Sequence, residues 1–419
     1  MKKAIVFGIG RHWERYACEI KKEYQIIAFA DNDTRKQGLL IDGKPVLQPC
    51  VISEVNFDVV VITLTGKALE QIRNQLLSLG IDESRIVAYE KQIGDFLIDA
   101  MFFTDNLTNI QKRKLFKNNV ELVFLELNSQ CNRQCWMCTN SVLDRHSQNK
   151  KLPREVLEKV LSELQEIHYD CDISLSVFNE PMLNDDLDES ISLIKSFLPD
   201  APVHFNTNGD YLTAGRLEQL EKLGLDFLPV SLYIDTPEKP WTQSGAEQAI
   251  EKAASRLGIS VNSLSVEDHT IVNADCQYKS LHVLFRCANH RIVAGDRCGS
   301  VPEDAPVRRF KKVSRICDRT FTQFTVNHNG AVTLCSNFHP DFVPHAPYIC
   351  GNVETESIFD IYASRRWTEF RRKHIGDIES TPCSTCGIVS GVWGDTSLSL
   401  MDFQPFRDRP RYRKYGTDC

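Results

Sequence analysis

Blocks of hydrophobic residues alternate along the chain with longer amphipathic segments, and this pattern predicts β-strands connected by helices. Near the amino terminus, three apolar runs have the length and the β-branched content of strands buried on both faces. They are KKAIVFGI (2–9), QIIAFAD (25–31) and FDVVVITL (57–64). Because strands separated by helix-length segments form parallel sheets with right-handed crossovers, we predict one such sheet in a domain spanning residues 1–100.

A glycine turn and an acidic residue follow the first two of these strands. In dinucleotide-binding folds of the Rossmann type, the turn lets a helix N-terminus approach a pyrophosphate, and the acid binds a ribose hydroxyl. Gly8, Gly10 and Asp31 hold these positions, but Trp13 stands where a third glycine is expected. The pattern fits either a Rossmann-like site for a nucleotide or nucleotide sugar, or a degenerate domain with a structural or docking role. The segments IDGKPVLQP and FDVVVIT resemble small nucleotide-binding domains of sugar-modifying enzymes, which favours a sugar-linked ligand.

After a stretch of mixed polarity at 101–118, which we interpret as a linker, strands and helices alternate regularly through residues 119–300. The clearest helix begins near Pro153, because apolar residues recur at helical spacing along one face: Val156, Val160, Leu161, Leu164 and Ile167. Strands are predicted at LVFLEL, ISLSV, VHFN, FLPVSLY and LHVLF. Repeated βα units predict a partial (β/α)6 barrel of the TIM type, with its chemistry at the carboxyl ends of the strands.

The pattern changes again in the last part of the chain. The segment FTQFTVNHNGAVTLC indicates two alternating strands around Asn329-Gly330, which predicts a hairpin with a type I′ turn. We therefore expect a small α+β domain at residues 301–419, and an α/β protein of three domains in all.

Composition narrows the class of protein. The net charge of -7 disfavours a nucleic-acid partner, and no apolar run is long enough to cross a membrane. The chain starts with an apolar run, as a secretory signal peptide would, but Arg11 and His12 interrupt the run and no signal-peptide cleavage site follows. We therefore expect a cytoplasmic protein. The 15 cysteines are an odd number, which in a reducing compartment favours metal or catalytic use over a disulfide framework.

Three cysteines lie close together directly after the first predicted barrel strand: Cys131, Cys135 and Cys138. Thiolates are ligands for zinc and for iron–sulfur clusters, and a structural zinc site normally has four ligands. A fourth ligand from elsewhere in the chain would complete a zinc site, so the spacing alone leaves both metals open. The position at the carboxyl end of a barrel strand favours a catalytic site.

The loop CNRQCWMC resembles the CxxxCxxC loop of radical S-adenosylmethionine (SAM) enzymes in both spacing and placement. The resemblance covers roughly residues 119–300. It implies a 4Fe–4S cluster with one iron open to SAM, whose reductive cleavage yields a 5′-deoxyadenosyl radical. It also implies an electron donor of the flavodoxin or ferredoxin type and a small-molecule substrate.

The same resemblance implies roles for residues near the next two strands. Asn179 and Glu180 in FNEP would hold the methionine amino group of SAM, and Met137 would lie beside adenine. Three polar residues after the third barrel strand would lie near the nucleoside: Asn206, Thr207 and Asn208. A methionine in the core and a simple turn at 206–208 are the alternatives.

A second set of cysteines follows: Cys317, Cys335, Cys383 and Cys386. Two such pairs also form zinc ribbons. The spacing Cys-x12-Gly-x4-Cys with a distant CxxC resembles instead the auxiliary-cluster domain of radical enzymes, called SPASM, in its shortened "twitch" form. This implies one auxiliary 4Fe–4S cluster ligated entirely by the chain. Of the cysteines without ligand spacing, Cys287 or Cys298 would suit a hydrogen-atom donor in an epimerase.

Three functions therefore remain open. The first is radical oxidation or epimerisation of a hydroxyl-bearing small molecule, such as a sugar, a cyclitol or a nucleotide-linked sugar. The second is radical modification of a ribosomally made peptide, which the Rossmann-like amino terminus mildly disfavours. The third is a non-catalytic, zinc-stapled nucleotide-binding protein, in which the order of CNRQCWMC, FNEP and TNG would be a coincidence.

Overall fold

The computed structural model describes residues 1–9, 13, 17, 20–34, 36–64, 66–89, 100–261, 263–307, 317 and 319–386. These residues fall into two compact units, one within Met1–Phe96 and the other within Leu97–Val392. Gly10, a predicted pyrophosphate contact, lies outside the described residues.

The first unit is built on a six-stranded sheet. The strands are β1 Lys2–Phe7, β2 Tyr24–Ala30, β3 Leu40–Ile41, β4 Lys44–Leu47, β5 Val59–Ile62 and β6 Ile86–Ala88, and helix α1 spans Gly66–Ser78. Their order is β3-β4-β2-β1-β5-β6, and every pairing except β3 with β4 is parallel. Along β1, Ile5 and Phe7 belong to one apolar core and Ala4 and Val6 to another, so both faces of the sheet are covered. The predicted parallel sheet is confirmed.

The second unit contains a ten-stranded sheet. Its strands are β7 Leu122–Leu125, β8 Asp172–Ser174, β9 Val203–His204, β10 Phe227–Leu232, β11 Ser265–Glu267, β12 Ile271–Tyr278, β13 Leu281–Ala288, β14 Gln323–Val326, β15 Ala331–Thr333 and β16 Ile349–Asn352. Its helices are α2 Asn109–Asn119, α3 Arg154–Glu166, α4 Leu187–Phe197, α5 Ala214–Lys222, α6 Gln243–Leu257, α7 His290–Val293, α8 Arg319–Thr322, α9 Ile358–Tyr362 and α10 Arg365–Gly376. Short 3-10 helices in the two units span Pro49–Glu54, Glu83–Arg85, Ala100–Phe103, Thr139–Ser141, Pro181–Leu183, Val343–Tyr348, Ile378–Ser380 and Pro382–Ser384.

The strand order in this sheet is β11-β12-β13-β10-β9-β8-β7-β14-β15-β16. The six strands from β13 to β14 run parallel to their neighbours, and the strands at both ends of the sheet pair antiparallel. The α/β class is therefore confirmed. Two features add to the prediction: β11 and β12 form an antiparallel ladder with β13, and β14, which follows residue 300, pairs with β7 in the same sheet. Over the described residues the sheet is open.

Two local expectations differ from the structure. The stretch interpreted as a linker contains α2, which begins with a capping box in which Thr108 and Gln111 satisfy each other's backbone groups. The hairpin between β14 and β15 lacks the type I′ turn, because only Gly330 has a positive φ (74°) and Asn329 does not. Gly330 N donates to Asn327 O (2.9 Å), as in a type I turn followed by a left-handed glycine.

The parallel strands place the carboxyl ends of β7, β8, β9, β10 and β13 along one edge of the sheet. The loops that carry the predicted SAM-site residues all start from this edge. Among the helices described, none has both the length and the apolar character needed to cross a membrane.

Candidate functional site

The three cysteines of the CxxxCxxC loop come close together after β7. Backbone hydrogen bonds shape the loop: Cys131 N donates to Arg145 O (3.0 Å), and Cys138 N donates to Cys135 O (2.9 Å). Burial, with smaller contributions from the neighbouring thiols, raises the pKa of Cys131 to about 11 and that of Cys135 to about 12. Binding of a metal cluster must therefore release protons from these thiols.

The donor set fits an iron–sulfur cluster better than a single metal ion. In the described ranges, no group of three or more His, Cys, Asp or Glu side chains is placed to hold one ion. The four ligands of a structural zinc converge on one point at about 2.0–2.3 Å, whereas the cysteines of a 4Fe–4S cluster bind separate iron atoms. Three neighbouring thiols without a convergent fourth ligand match the second arrangement.

Glu180 lies in the loop after β8, at the N-cap of the 3-10 helix Pro181–Leu183, and is almost fully buried, with 2% of its surface exposed. Its carboxylate accepts hydrogen bonds from Thr207 Oγ1 (2.8 Å) and Asn208 N (2.8 Å), and its own N–H donates to Gln130 O in the cysteine loop (2.8 Å). Burial raises the pKa of Glu180, and the hydrogen bonds that it accepts counteract this only in part. The structure thus brings together the predicted residues Glu180, Thr207 and Asn208.

The two other predicted asparagines have different surroundings. Asn179 is engaged by the segment after β7 and by its own loop: its Nδ2 donates to Asn128 Oδ1 (2.8 Å), and its Oδ1 accepts from Val177 N (2.9 Å). Asn206 is held through its backbone, since Asn206 N donates to Ser176 Oγ (2.9 Å). Both asparagines lie at the same edge of the sheet as Glu180. Their contact with SAM stays a prediction.

A polar contact joins the cysteine loop to the loop after β9. Asn208 Nδ2 donates to Asn132 Oδ1 (2.7 Å), and Arg133 forms two hydrogen bonds with the carboxylate of Asp210 (2.7 and 2.5 Å). The hydrogen bonds from Arg133 lower the pKa of Asp210, so this pair stays ionised. Two loops that carry predicted SAM-site residues are therefore fixed relative to each other.

Met137 is buried in a small apolar cluster with Val301 and Val307, against which Trp136 and Tyr233 also pack. Core packing of Met137 is thus present in the structure. Its contact with adenine stays a prediction.

Two residues outside the predicted set form a pair at this same edge of the sheet. Asp235 follows β10 and His290 follows β13; His290 Nδ1 lies 2.9 Å from Asp235 Oδ1, and His290 N donates to Asp235 Oδ2 (3.1 Å). Burial alone would raise the pKa of Asp235, but the hydrogen bond and charge of His290 outweigh it and lower that pKa. No motif marks the pair, because its members are 55 residues apart.

Three of the four cysteines predicted as auxiliary ligands come together: Cys335, Cys383 and Cys386 are all buried. Burial, and after it the thiol of Cys383, raises the pKa of Cys335 to about 12. A fourth buried thiol, that of Cys298, hydrogen-bonds with Cys383 and Cys386. Cys298 lies in a turn whose residues have positive φ values, including Arg297 (47°) and Cys298 itself (58°), and spacing along the sequence does not reveal it.

Cys317, the remaining predicted ligand, is connected to this group through His374. Cys317 N donates to His374 Nε2 (3.0 Å). A hydrogen bond from Cys298 lowers the pKa of Cys383, and the neighbouring His374 contributes to the shift. His374 therefore lies next to both Cys317 and Cys383, and the binding of a cluster by the four predicted ligands stays a prediction.

A buried charge network lies next to the cysteine loop, and no sequence motif indicates it. Glu126, directly after β7, meets Arg145 Nη1 (3.2 Å) and His328 Nδ1 (2.9 Å), and Arg145 Nη2 donates to His339 Nε2 (2.9 Å). Burial would raise the pKa of Glu126, but Arg145 and His328 lower it to about 2. Burial and the charge of Arg145 lower the pKa of His339 to about 3. The network joins the cysteine loop to the β14–β15 hairpin.

In the first unit, the carboxylate of Asp31 is engaged by groups of the chain itself. Oδ2 accepts hydrogen bonds from Ile9 N (3.1 Å) and Lys36 Nζ (3.1 Å), and Oδ1 accepts one from Asp33 N (2.9 Å). A ribose hydroxyl at Asp31 would have to share the carboxylate with Lys36.

Gly8 and Trp13 belong to the same predicted nucleotide-binding pattern as Asp31. Gly8 has a φ of 94°, which permits the tight turn after β1, and an added Cβ would meet Leu64 Cγ at 2.7 Å. The Trp13 ring is buried and packs edge-on against Phe29, with centroids 4.9 Å apart. Trp13 thus replaces the third glycine with a packed side chain, and nucleotide binding by Gly8 and Asp31 stays a prediction.

Three segments of the chain match known families. Residues 1–87 match the family described as C2185-like, N-terminal; residues 125–271 match the Radical SAM superfamily; and residues 317–387 match the iron–sulfur cluster-binding domain family SPASM. The second segment contains the CxxxCxxC loop, and the third contains all four predicted auxiliary cysteines.

Individual proteins are also similar to the chain. The S-adenosyl-L-methionine-dependent 2-deoxy-scyllo-inosamine dehydrogenase of Niallia circulans is 25% identical over 275 residues, which is 64% of this chain and 93% of that protein. The crystal structure of BtrN in complex with AdoMet and 2-DOIA has a TM-score of 0.47 at 22% identity and covers 70% of this chain and 98% of that one. Native anSMEcpe with bound AdoMet has a TM-score of 0.39 at 14% identity, covering 67% and 92%.

The matches to the Radical SAM and SPASM families agree with the resemblance that the cysteine spacings indicated. The chain therefore contains a radical SAM domain followed by a SPASM iron–sulfur domain, and the cofactors that these domains imply are S-adenosylmethionine, the 4Fe–4S cluster that binds it and auxiliary iron–sulfur clusters.

Proposed function

We propose that this radical SAM enzyme is an oxidoreductase that converts a secondary hydroxyl group of a cyclitol or sugar into a ketone. The observation that carries the proposal is the dehydrogenase from Niallia circulans, which by its name acts on 2-deoxy-scyllo-inosamine and which this chain matches over 93% of its length. The radical SAM and iron–sulfur domains supply the chemistry that such a reaction needs.

In this proposal, Cys131, Cys135 and Cys138 hold the cluster that binds SAM. Glu180 offers a buried carboxylate to the ammonium group of the methionine moiety. Burial raises the pKa of Glu180, and a cation within hydrogen-bonding distance favours the ionised form, so the two groups stabilise each other. When bound and reduced, the cluster supplies the electron that cleaves SAM into methionine and a 5′-deoxyadenosyl radical.

In this proposal, the second set of cysteines holds a cluster that accepts an electron during the oxidation. Conversion of an alcohol to a ketone removes two electrons, and the hydrogen atom taken from carbon carries only one of them. A buried cluster ligated by Cys317, Cys335, Cys383 and Cys386 suits a one-electron acceptor, whose potential depends on burial and on hydrogen bonds to sulfur. We further propose a flavodoxin or ferredoxin as the donor that reduces the SAM-binding cluster.

The proposal is tested with the full-length protein, reconstituted anaerobically with iron and sulfide and reduced in the presence of SAM and 2-deoxy-scyllo-inosamine. We expect 5′-deoxyadenosine and the corresponding ketone in equal amounts. The variant Cys135→Ser is the matched control and should form neither. If 5′-deoxyadenosine forms without a ketone from any of a panel of cyclitols, amino sugars and nucleotide sugars, oxidation of this substrate class is wrong. An epimer carrying solvent deuterium would identify epimerisation instead.

A further inference from the structure

The pair of Asp235 and His290 lies on the edge of the sheet where the chemistry is expected. β10 ends at Leu232 and β13 ends at Ala288, and the two strands pair in parallel, so the residues that follow them leave the sheet on the same side. β7 and β8 run parallel within the same sheet and carry the cysteine loop and Glu180 on that side. His290 therefore shares an edge with the SAM-site residues.

Direct contacts connect the pair to the cysteine loop. Trp136 Nε1, between two of the cysteines, donates to Asp235 O (3.4 Å). The Tyr233 ring stacks on the His290 ring, with centroids 5.2 Å apart and planes inclined by 20°. The guanidinium carbon of Arg133, a residue of the cysteine loop, lies 5.3 Å from the centroid of the same Tyr233 ring. Only one aromatic ring thus separates His290 from the cysteine loop.

The hydrogen bonds of His290 leave one ring nitrogen available. The Asp235 side chain is 0% exposed and accepts a hydrogen bond from the Nδ1–H group of His290, which fixes the tautomer and leaves a lone pair on Nε2. In the described part of the chain, Nε2 has no hydrogen-bond partner. The side chain is 15% exposed, so a small molecule can reach it. This is the geometry of a general base oriented by a carboxylate.

Three other histidines, His328, His339 and His345, are committed to internal contacts. His328 is 2% exposed and bound to Glu126, and His339 accepts from Arg145. Both ring nitrogens of His345 bond to backbone groups. A second His–Asp pair, His282 with Asp275, lies at the start of β13 and therefore at the opposite edge of the sheet.

We propose that His290 is the catalytic base of the alcohol oxidation, an inference that rests on the proposed function. A 5′-deoxyadenosyl radical derived from bound SAM would remove the hydrogen atom from the carbinol carbon. The substrate O–H bond would then break, its proton would go to His290 Nε2, the C=O double bond would form, and an oxidised iron–sulfur cluster held by the cysteines would accept the remaining electron. Asp235 stabilises the imidazolium that results. Positioned bases contribute about 100- to 10,000-fold to rate.

The test compares His290→Ala and His290→Gln with the matched variant His282→Gln in the reconstituted full-length protein. The probe is 2-deoxy-scyllo-inosamine deuterated at its carbinol carbons. We expect the wild type and His282→Gln to form deuterated 5′-deoxyadenosine and ketone in equal amounts. Both His290 variants should still form deuterated 5′-deoxyadenosine, but ketone formation should fall by about 100-fold or more, and imidazole should restore part of it in His290→Ala.

Each other result is decisive. Ketone formation at the wild-type rate in both His290 variants would overturn the assignment of the base alone. Loss of deuterium transfer together with ketone, at unchanged iron content, would show that His290 positions substrate or SAM and would also overturn it. If the wild type transfers no deuterium from this probe or from the wider panel of alcohols, the proposed function is wrong. The proposed role of His290 is then wrong as well.

Discussion

At the scale of single residues, the burial of Glu180 and its hydrogen bonds bear on how its negative charge is compensated. It is almost fully buried, and it lies within hydrogen-bonding distance of donors from a neighbouring strand end, Thr207 and Asn208. Burying an ionised carboxylate is costly unless cations or donors compensate it. A cationic ligand at this position would complete the compensation.

The variant Glu180→Gln tests this carboxylate. We expect SAM to bind about 10- to 100-fold more weakly, because a hydrogen bond to a charged group is worth about 1.5–3 kcal/mol. Equilibrium titration of the reconstituted protein with SAM measures the effect. Glu189→Gln, which removes an exposed carboxylate paired with Arg154, is the control and should bind SAM normally. Equal dissociation constants for the two variants would contradict the assignment.

Stability should fall in mild acid because of His339. Its pKa is about 3 in the folded protein and near 6.5 in the unfolded chain, so between these values the unfolded state binds a proton that the folded state does not. The free energy of unfolding should therefore decrease as the pH falls below about 6.5. Glu126, with a pKa of about 2, adds a loss in the same direction below about pH 4.5.

Urea unfolding at pH 7.5 and 5.5 measures this dependence. In His339→Gln the decrease between the two pH values should be smaller than in the wild type, even though the variant is less stable at both. A variant with the same pH dependence as the wild type would show that another group is responsible.

At the scale of elements, the β14–β15 hairpin positions one of the predicted auxiliary ligands. Cys335 follows β15 by two residues, so the register of this short strand sets where its thiol lies. The turn depends on Gly330 with its φ of 74°, and a Cβ there would meet Asn352 Oδ1 at 2.6 Å.

Gly330→Ala should lower stability and release iron from the auxiliary site. Gly258→Ala is the matched control, since Gly258 has a similar φ of 68° but open space around its missing Cβ. Each substitution should cost about 1–2 kcal/mol for the left-handed backbone, and Gly330→Ala should cost about 1–3 kcal/mol more for the close contact. Urea unfolding and iron analysis measure the two effects. Equal losses in the two variants would show that the contact with Asn352 is relieved.

The elements that could be predicted are those whose signal is local. The five apolar residues of α3 recur at helical spacing, and the apolar runs at β1, β2 and β5 are continuous. Helix α2 also carried a local signal, the Thr108-x-x-Gln111 capping box, but its polar composition obscured it. The Asn329-Gly330 dipeptide does not distinguish two kinds of turn, because a type I turn followed by a left-handed glycine can have the same dipeptide as a type I′ turn.

The residues of the candidate site also differ in whether a local motif indicates them. Cysteine spacing and FNEP are readable because each motif lies within one loop. Only the folded sheet brings together two groups of residues from distant segments. One is the pair of Asp235 and His290, and the other is the network of Glu126, Arg145, His328 and His339. A buried acid or histidine in a sequence has no periodicity that would reveal its partner.

At the scale of the whole molecule, the chain has two separate cysteine regions, and the proposed chemistry needs a cluster in each. The reconstituted protein should contain about eight iron atoms per chain and no stoichiometric zinc. Iron analysis should give about half of that for Cys135→Ala and for Cys383→Ala. Only the first of these variants should lose SAM cleavage. Cys50→Ala, which removes an exposed thiol outside both regions, is the control. Iron for one cluster together with one zinc ion would contradict the auxiliary assignment.

The pairing of β14 with β7 has a consequence for how this protein can be recombined. Ladder contacts run from Gln323–Leu122 to Val326–Leu125, so the strand that opens the radical SAM domain has its outer edge covered by a strand from the SPASM domain. A chimera joined between the two domains would exchange one half of that ladder for a foreign sequence, or leave a bare strand edge prone to aggregation. Shuffling among relatives should therefore succeed only when both halves are inherited from one parent.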